Sequence, residues 1–182
     1  DRRALERNLW DMSRLASSGR FASIDDMNAF LQAHSGPGRL PAPPPSTPLE
    51  QAQDIMYQAW DSQGRRRVAL ARQALAISED CADAYVLLAE EEAKSAEEAR
   101  ALYERGVEAG ERTIGPEQFG EWTGHFWGMI ETRPYMRARA GLATTLWHLG
   151  QREEAIAHYQ ELLRLNPGDN QGLRYVLASC LL

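Results

Sequence analysis

The chain has 182 residues, with 20 Lys and Arg against 26 Asp and Glu and a formal net charge of −6. That length suits one domain with a sizeable core and a small appended element, and the acidic balance argues against a protein built to coat nucleic acid. Ala, Leu, Glu, Arg and Gln are abundant while Val, Ile and Thr are sparse, a bias toward helix and away from sheet.

Residues 1–35 read as a helical hairpin. Ala4, Leu5, Leu9, Met12, Leu15 and Ala16 recur at helical spacing, and Ser17-Ser18-Gly19 ends the first helix. Ser23 caps a second helix that opens on Asp25 and Asp26, carries Met27, Phe30 and Leu31, and stops at Gly36-Pro37-Gly38. Residues 36–48 form a linker; the five prolines between Pro41 and Pro48 predict an extended, polyproline-like segment.

From residue 49 to 182 the pattern is one of helix pairs. Thr47 caps, and Pro48 opens, a helix carrying Ala52, Ile55, Met56, Ala59 and Trp60. Asp61-Ser62-Gln63-Gly64 turns the chain into a second helix with Val68, Leu70, Ala71, Ala74, Leu75 and Ile77. A new pair begins at Cys81, with Tyr85, Leu88 and Ala89 on one helix and Ala99, Leu102, Tyr103 and Val107 on the next.

Ala138 to Pro167 carries the strongest pattern. Leu142, Ala143 and Leu146 form a stripe, Gly150 closes a turn, Ala155 and Tyr159 stand four apart on a second helix, and Pro167 ends the unit. This is the tetratricopeptide pattern of about 34 residues, with Arg139, Ala143 and Leu146 in slots that favour Trp, Gly and Tyr. Tyr85, Leu88 and Ala89 correspond to Arg139, Leu142 and Ala143 at an offset of 54. One repeat accounts for about 34 of these, so roughly 20 residues are inserted, at about 111–132. One further period leads to Val176 and Leu177, in a helix expected to begin near Asp169 without a partner.

Gly124-His125-Phe126-Trp127-Gly128, Glu131-Thr132-Arg133-Pro134-Tyr135-Met136-Arg137-Ala138, Leu163-Arg164-Leu165-Asn166-Pro167 and Asp169-Asn170-Gln171-Gly172 with Arg174-Tyr175 resemble bacterial tetratricopeptide-repeat proteins related to the suppressor-of-tumorigenicity family. Arg65 to Leu88 is similar to the same group. The resemblance implies an α-solenoid, no established enzyme activity, and further helices beyond those present here.

Two groups of residues are candidate sites. Arg133, Tyr135, Arg137, Trp147, Asn170, Arg174 and Tyr175, with Gln171, combine guanidinium forks, hydroxyls and amides in a way that suits a carboxylate, a phosphate or an acidic peptide. The same arginines can instead pair with Glu131 and neighbouring acids and hold the insert in place. The second group, Trp122, His125 and Trp127 with Phe126, is either the wall of a recognition pocket or a plug filling the gap opened by the insertion.

Chemistry beyond this is sparse. His34, His125, His148 and His158 show no metal-ligand spacing, and no GxxxxGK[ST] loop exists. Gly115-Pro116 starts a helix, while Arg65-Arg66-Arg67 and the Glu90–Glu92 run read as solvated faces. Cys81 and Cys180 have no partner motif, so a cytoplasmic setting is expected. No apolar run approaches the roughly 18 residues of a membrane span, and the charged first residues do not read as a signal peptide.

The expectation is an all-α protein, a tetratricopeptide-like right-handed helical solenoid with an N-terminal helical hairpin. Its expected role is a non-enzymatic scaffold that needs no cofactor or metal. It would bind a protein or peptide, acidic in character, in the concave groove of the repeats, with neither nucleic acid nor membrane as partner. Self-assembly through the terminal helices is the alternative, and a hydrolase or nucleotide binder built on the insert ranks last.

Overall fold

The computed structural model describes residues 2–18, 21–33 and 43–182. The described residues form nine α-helices and two 3-10 turns with no strand. None of the described helices is long and apolar enough to cross a membrane. Gly19, His34, Gly36-Pro37-Gly38 and residues 41–42 of the proline segment lie outside the described residues.

The chain divides into two compact units, Asp1–Pro45 and Ser46–Leu182. The first contains α1 (Arg2–Ser17) and α2 (Ile24–Ala33). Ser23 caps α2 as expected, its hydroxyl accepting the Asp26 amide at 3.1 Å, and Phe21 and Phe30 stack with ring centroids 5.3 Å apart. The buried stripe of α1 runs through Trp10, Asp11, Arg14 and Leu15, while Leu5 and Met12 are exposed. A count of apolar residues alone misses this stripe, because two of its four members are charged.

The second unit contains α3 (Pro48–Trp60), α4 (Gly64–Ile77), α5 (Ala82–Glu91), α6 (Ala96–Glu121), α7 (Arg133–His148), α8 (Arg152–Leu165) and α9 (Leu173–Leu181). Two helices open on the same reciprocal cap. Thr47 accepts the Glu50 amide at 3.1 Å while the Glu50 carboxylate accepts the Ser46 amide at 2.6 Å. At α6, Ser95 accepts the Glu98 amide at 3.2 Å and the Glu98 carboxylate takes the Lys94 amide at 2.8 Å. Each device satisfies amides that the first helical turn would otherwise leave unpaired.

Consecutive helices pack in pairs, α3 on α4, α5 on α6 and α7 on α8, and α6 also packs closely on α7. One apolar cluster joins Ala52, Ile55, Met56 and Ala59 to Ala71 and Ala74 and to Ala84, Leu87 and Leu88 of α5. The other joins Val86 and Ala89 of α5 to Tyr103, Tyr135, Met136, Leu142, Leu146, Tyr159 and Leu162. Helix α5 serves both clusters and is buried on every side from Ala82 to Ala89.

Positive-φ residues shape two helix boundaries. Gly115, at φ 75°, interrupts the helical geometry within α6, and Pro116 restarts it; Pro is well placed at a first turn, where its missing amide is no loss. Helix α9 begins at Leu173 rather than near Asp169. Asp169 (φ 51°) and Gly172 (φ 75°) make a left-handed turn, from which the Asp169 carboxylate accepts the amides of Leu173 at 2.6 Å and Arg174 at 3.1 Å.

On α8, Nδ1 of His158 is buried without a hydrogen-bond partner. Burial, and secondarily the charge of Arg139, hold its pKa below the ordinary 6.5, against the opposing pull of Glu154 and Glu104. Below pH 6.5 the unfolded chain therefore takes up this proton before the folded one does. The stabilisation is fully present above pH 6.5 and is lost as pH falls through the folded value. Urea midpoints measured from pH 7.5 to 5 are expected to fall more steeply for the native chain than for His158→Gln.

Candidate functional site

The most strongly built polar feature of the second unit is a buried node linking α3, α5 and α7. The Asp83 side chain is fully buried on α5. Arg137 of α7 grips it with a fork, Nε donating to Oδ1 at 2.8 Å and Nη2 to Oδ2 at 2.7 Å. Gln53 Nε2 of α3 donates to the same Oδ2 at 2.9 Å. The Arg137 guanidinium also lies 5.2 Å from the Trp60 ring centroid, within cation–π range. A carboxylate placed so deep in apolar helix needs this pairing, because an unpaired buried charge is heavily penalised. Cys81 Sγ lies 3.9 Å from Gln53 Oε1, and burial, then the Asp83 charge, push its thiol well above the usual range; it is a packing residue, not a nucleophile.

The insert is a second constructed feature. Phe126 is completely buried, and the rings of Phe119, Phe126 and Tyr135 form a triad with centroids 5.1–6.1 Å apart. The Gly124 amide donates to the Leu165 carbonyl at 3.1 Å, and the buried Thr132 hydroxyl donates to the Phe126 and Met129 carbonyls. Trp122 and Trp127 are half-buried against this core, whereas His125 is exposed. The aromatics thus fill space between α6 and α7. Phe126→Ala is expected to destabilise the protein by about 3–5 kcal/mol, read as a drop in the urea midpoint at unchanged slope.

A profile of the family described as ST7 protein matches residues 25–167. The chain belongs to the ST7 protein family. Among curated relatives of this ST7-family chain, the human suppressor of tumorigenicity 7 protein-like is 42% identical over 64 residues, 35% of this chain and 11% of that protein. The Protein ST7 homolog of Caenorhabditis elegans is 44% identical over 62 residues, 34% of this chain and 12% of the relative. The chicken suppressor of tumorigenicity 7 protein-like is 41% identical over 64 residues, covering 35% and 12%. The match thus spans only about an eighth of each relative's length. No solved structure matches the chain.

The ST7-family structure disperses the first group of expected site residues. Tyr135 is a core residue with no exposed surface, which puts its ring out of a ligand's reach. Arg137 is held by Asp83. Arg133 Nε donates to the Trp127 carbonyl at 3.0 Å and its guanidinium stands 5.1 Å from the Trp127 ring centroid, fastening the insert. Gln171 Nε2 donates to the Met136 carbonyl at 3.3 Å. Arg174 and Tyr175 are exposed on α9, with Arg174 reaching the Pro167 carbonyl. Asn170 lies in the turn before α9. Trp147 is half-buried on α7, with the Arg152 guanidinium 5.2 Å from its ring centroid. Among the described residues no three His, Cys, Asp or Glu side chains converge as a metal would require.

Sequence reasoning missed Asp83 and Gln53. For Asp83 a signal was present: it is the sole charge in the run Cys81–Ala89, and it stands 54 residues before Arg137, the same offset that aligns Tyr85 with Arg139; Gln53 carried none.

Proposed function

We propose that the chain is a tetratricopeptide-type helical solenoid that acts as a non-enzymatic protein-interaction scaffold, taking a peptide or partner segment along the face shared by its first helices α3, α5 and α7. The observation that carries this reading is that α5 packs directly on both α3 and α7, with all three fastened by the Gln53–Asp83–Arg137 node. Such a stack makes a rigid, preorganised surface, and preorganisation limits the entropic cost of binding. Glu90 and Thr144 are exposed on α5 and α7, and Trp147 is half-exposed one turn beyond Thr144, an aromatic anchor of the kind that dominates interface energetics. With Arg137 engaged by Asp83, attraction for an acidic partner rests on Arg174 at the start of α9. The chain matches a small part of its relatives, so this is a role for the segment.

A photo-crosslinking amino acid at Thr144 or Trp147 tests the reading, with Glu108 on α6 as a control outside the proposed face. In the native host, Thr144 and Trp147 are expected to capture the same product, Glu108 not to capture it, and Arg174→Ala to reduce its yield. Identical products from all three positions would overturn the assignment. Arg137 is unsuited to this test because its loss would compromise the fold.

A further inference from the structure

Helix α5 and its C-cap carry the acids Asp83, Glu90, Glu91 and Glu92, and all but one are held. Asp83 is gripped by Arg137, Glu91 stands 3.2 Å from Arg67, and Arg72 forks Glu92 at 2.8–3.1 Å. Glu90 makes no hydrogen bond or ion pair among the described residues. It is exposed, yet burial by the surrounding protein raises its pKa above the ordinary 4.5. The charge of Arg67, and more weakly that of Arg137, opposes the shift, while Asp83 and Glu91 reinforce it. This carboxylate has given up part of its hydration without gaining a partner.

Its place is the seam between α5 and α7. Glu90 lies seven residues, about two helical turns, beyond Asp83, and Thr144 lies seven beyond Arg137. Each therefore falls on the side of its helix that the node marks. Tyr103 of α6 reaches both helices: a Cβ at Gly141 would lie 2.2 Å from its ring, and burial, then the Glu90 charge, pushes its hydroxyl pKa up to about 12. Nothing on the seam is free to donate to Glu90. The Thr144 hydroxyl gives its proton to the Ala140 carbonyl at 3.0 Å, and Arg67 and Arg137 are engaged by Glu91 and Asp83. Beside Thr144 on the same face of α7 stand Ala140 and Trp147, both half-buried.

We propose that Glu90 receives a lysine or arginine side chain of the partner segment, whose aliphatic stem lies along α7 between Ala140 and Trp147. The inference rests on the reading of the α3, α5 and α7 face given above and names the partner's chemistry there: basic at the α5–α7 seam, whatever acid it brings to Arg174. A half-dehydrated carboxylate attracts a cation more strongly than one in bulk water, because the effective dielectric is lower and part of its desolvation has already occurred. The stem of a long basic side chain suits the apolar surface beside it. An acidic side chain at the same point would meet like charge.

The probe is a phage-displayed library of short random peptides, selected on the immobilised full chain. Peptides enriched on the native chain are expected to carry Lys or Arg above the library frequency, and Glu90→Gln to weaken their binding about tenfold. Selection on Glu90→Lys is expected to enrich acidic peptides instead. The urea midpoint of Glu90→Gln is expected to stay or rise slightly, because no internal partner is lost; a clear fall makes Glu90 a structural residue and overturns the proposal. Photo-crosslinkers at Thr144, Trp147 and Glu108 separate this inference from the reading beneath it. If the enriched peptides crosslink at Thr144 or Trp147 but lack a base, or bind Glu90→Gln equally well, the face stands and the inference fails. If they crosslink only at Glu108, both fail. Absence of any enriched peptide also overturns the proposal.

Discussion

Gly110→Ala is expected to destabilise the protein by about 1–3 kcal/mol, although alanine is the better helix former by about 1 kcal/mol. Gly110 faces α7 where the two helices pack closely. A Cβ there would lie 2.6 Å from Tyr135 Cβ and 3.0 Å from Tyr135 Cα. The obstacle is backbone and the root of a buried ring, not the tip of a mobile side chain. Relief requires α6 and α7 to separate, which loosens the aromatic triad around Tyr135. Gly120 provides the contrast on the same helix. A Cβ there meets nothing within 4 Å, so Gly120→Ala is expected to be neutral or to stabilise by up to about 1 kcal/mol. Urea denaturation of the two variants gives opposite signs if close approach governs Gly110. Stabilisation by both would show that α6 and α7 do not meet as described.

The second large effect is at the buried node. Arg137→Ala is expected to cost about 3–5 kcal/mol, because it strands the Asp83 carboxylate inside the stack with only Gln53 to answer it. The size comes from the unpaired charge, not from the net worth of the pair. The double substitution Asp83→Leu with Arg137→Met removes both charges while keeping apolar volume, and is expected to recover most of the loss. If the double variant is as unstable as Arg137→Ala, packing and the stacking of Arg137 on Trp60 account for the cost instead. The pair joins α5 to α7, so it also holds the register of these two helices. The recovered double variant tests whether the packing of α5 on α7 needs that lock or only the apolar contacts.

Much of the fold was legible in the sequence. Thr47-Pro48, Ser23 and Gly115-Pro116 marked helix starts because capping and proline geometry are properties of a few adjacent residues. The Leu142, Ala143, Leu146, Ala155 and Tyr159 stripe marked two packed helices because burial repeats with the helical period. The candidate site was read less well. Arginine, tyrosine and asparagine clustered in sequence suggested a ligand groove, yet Tyr135 points into the core, Arg133 holds the insert and Arg137 meets Asp83.

What the sequence determined by itself was therefore local: that the chain is helical, where capped helices such as α2, α3 and α6 begin, and the buried stripes of α7 and α8. The tertiary structure alone decided which polar residues leave water and which glycines let two helices touch. Asp83 and Arg137 are 54 positions apart, and Gly110 meets Tyr135 across two helices. Helical periodicity specifies the face a residue occupies on its own helix. The partner that face meets depends on how separate helices stack, and that partner determines whether a charge is solvated, paired or buried.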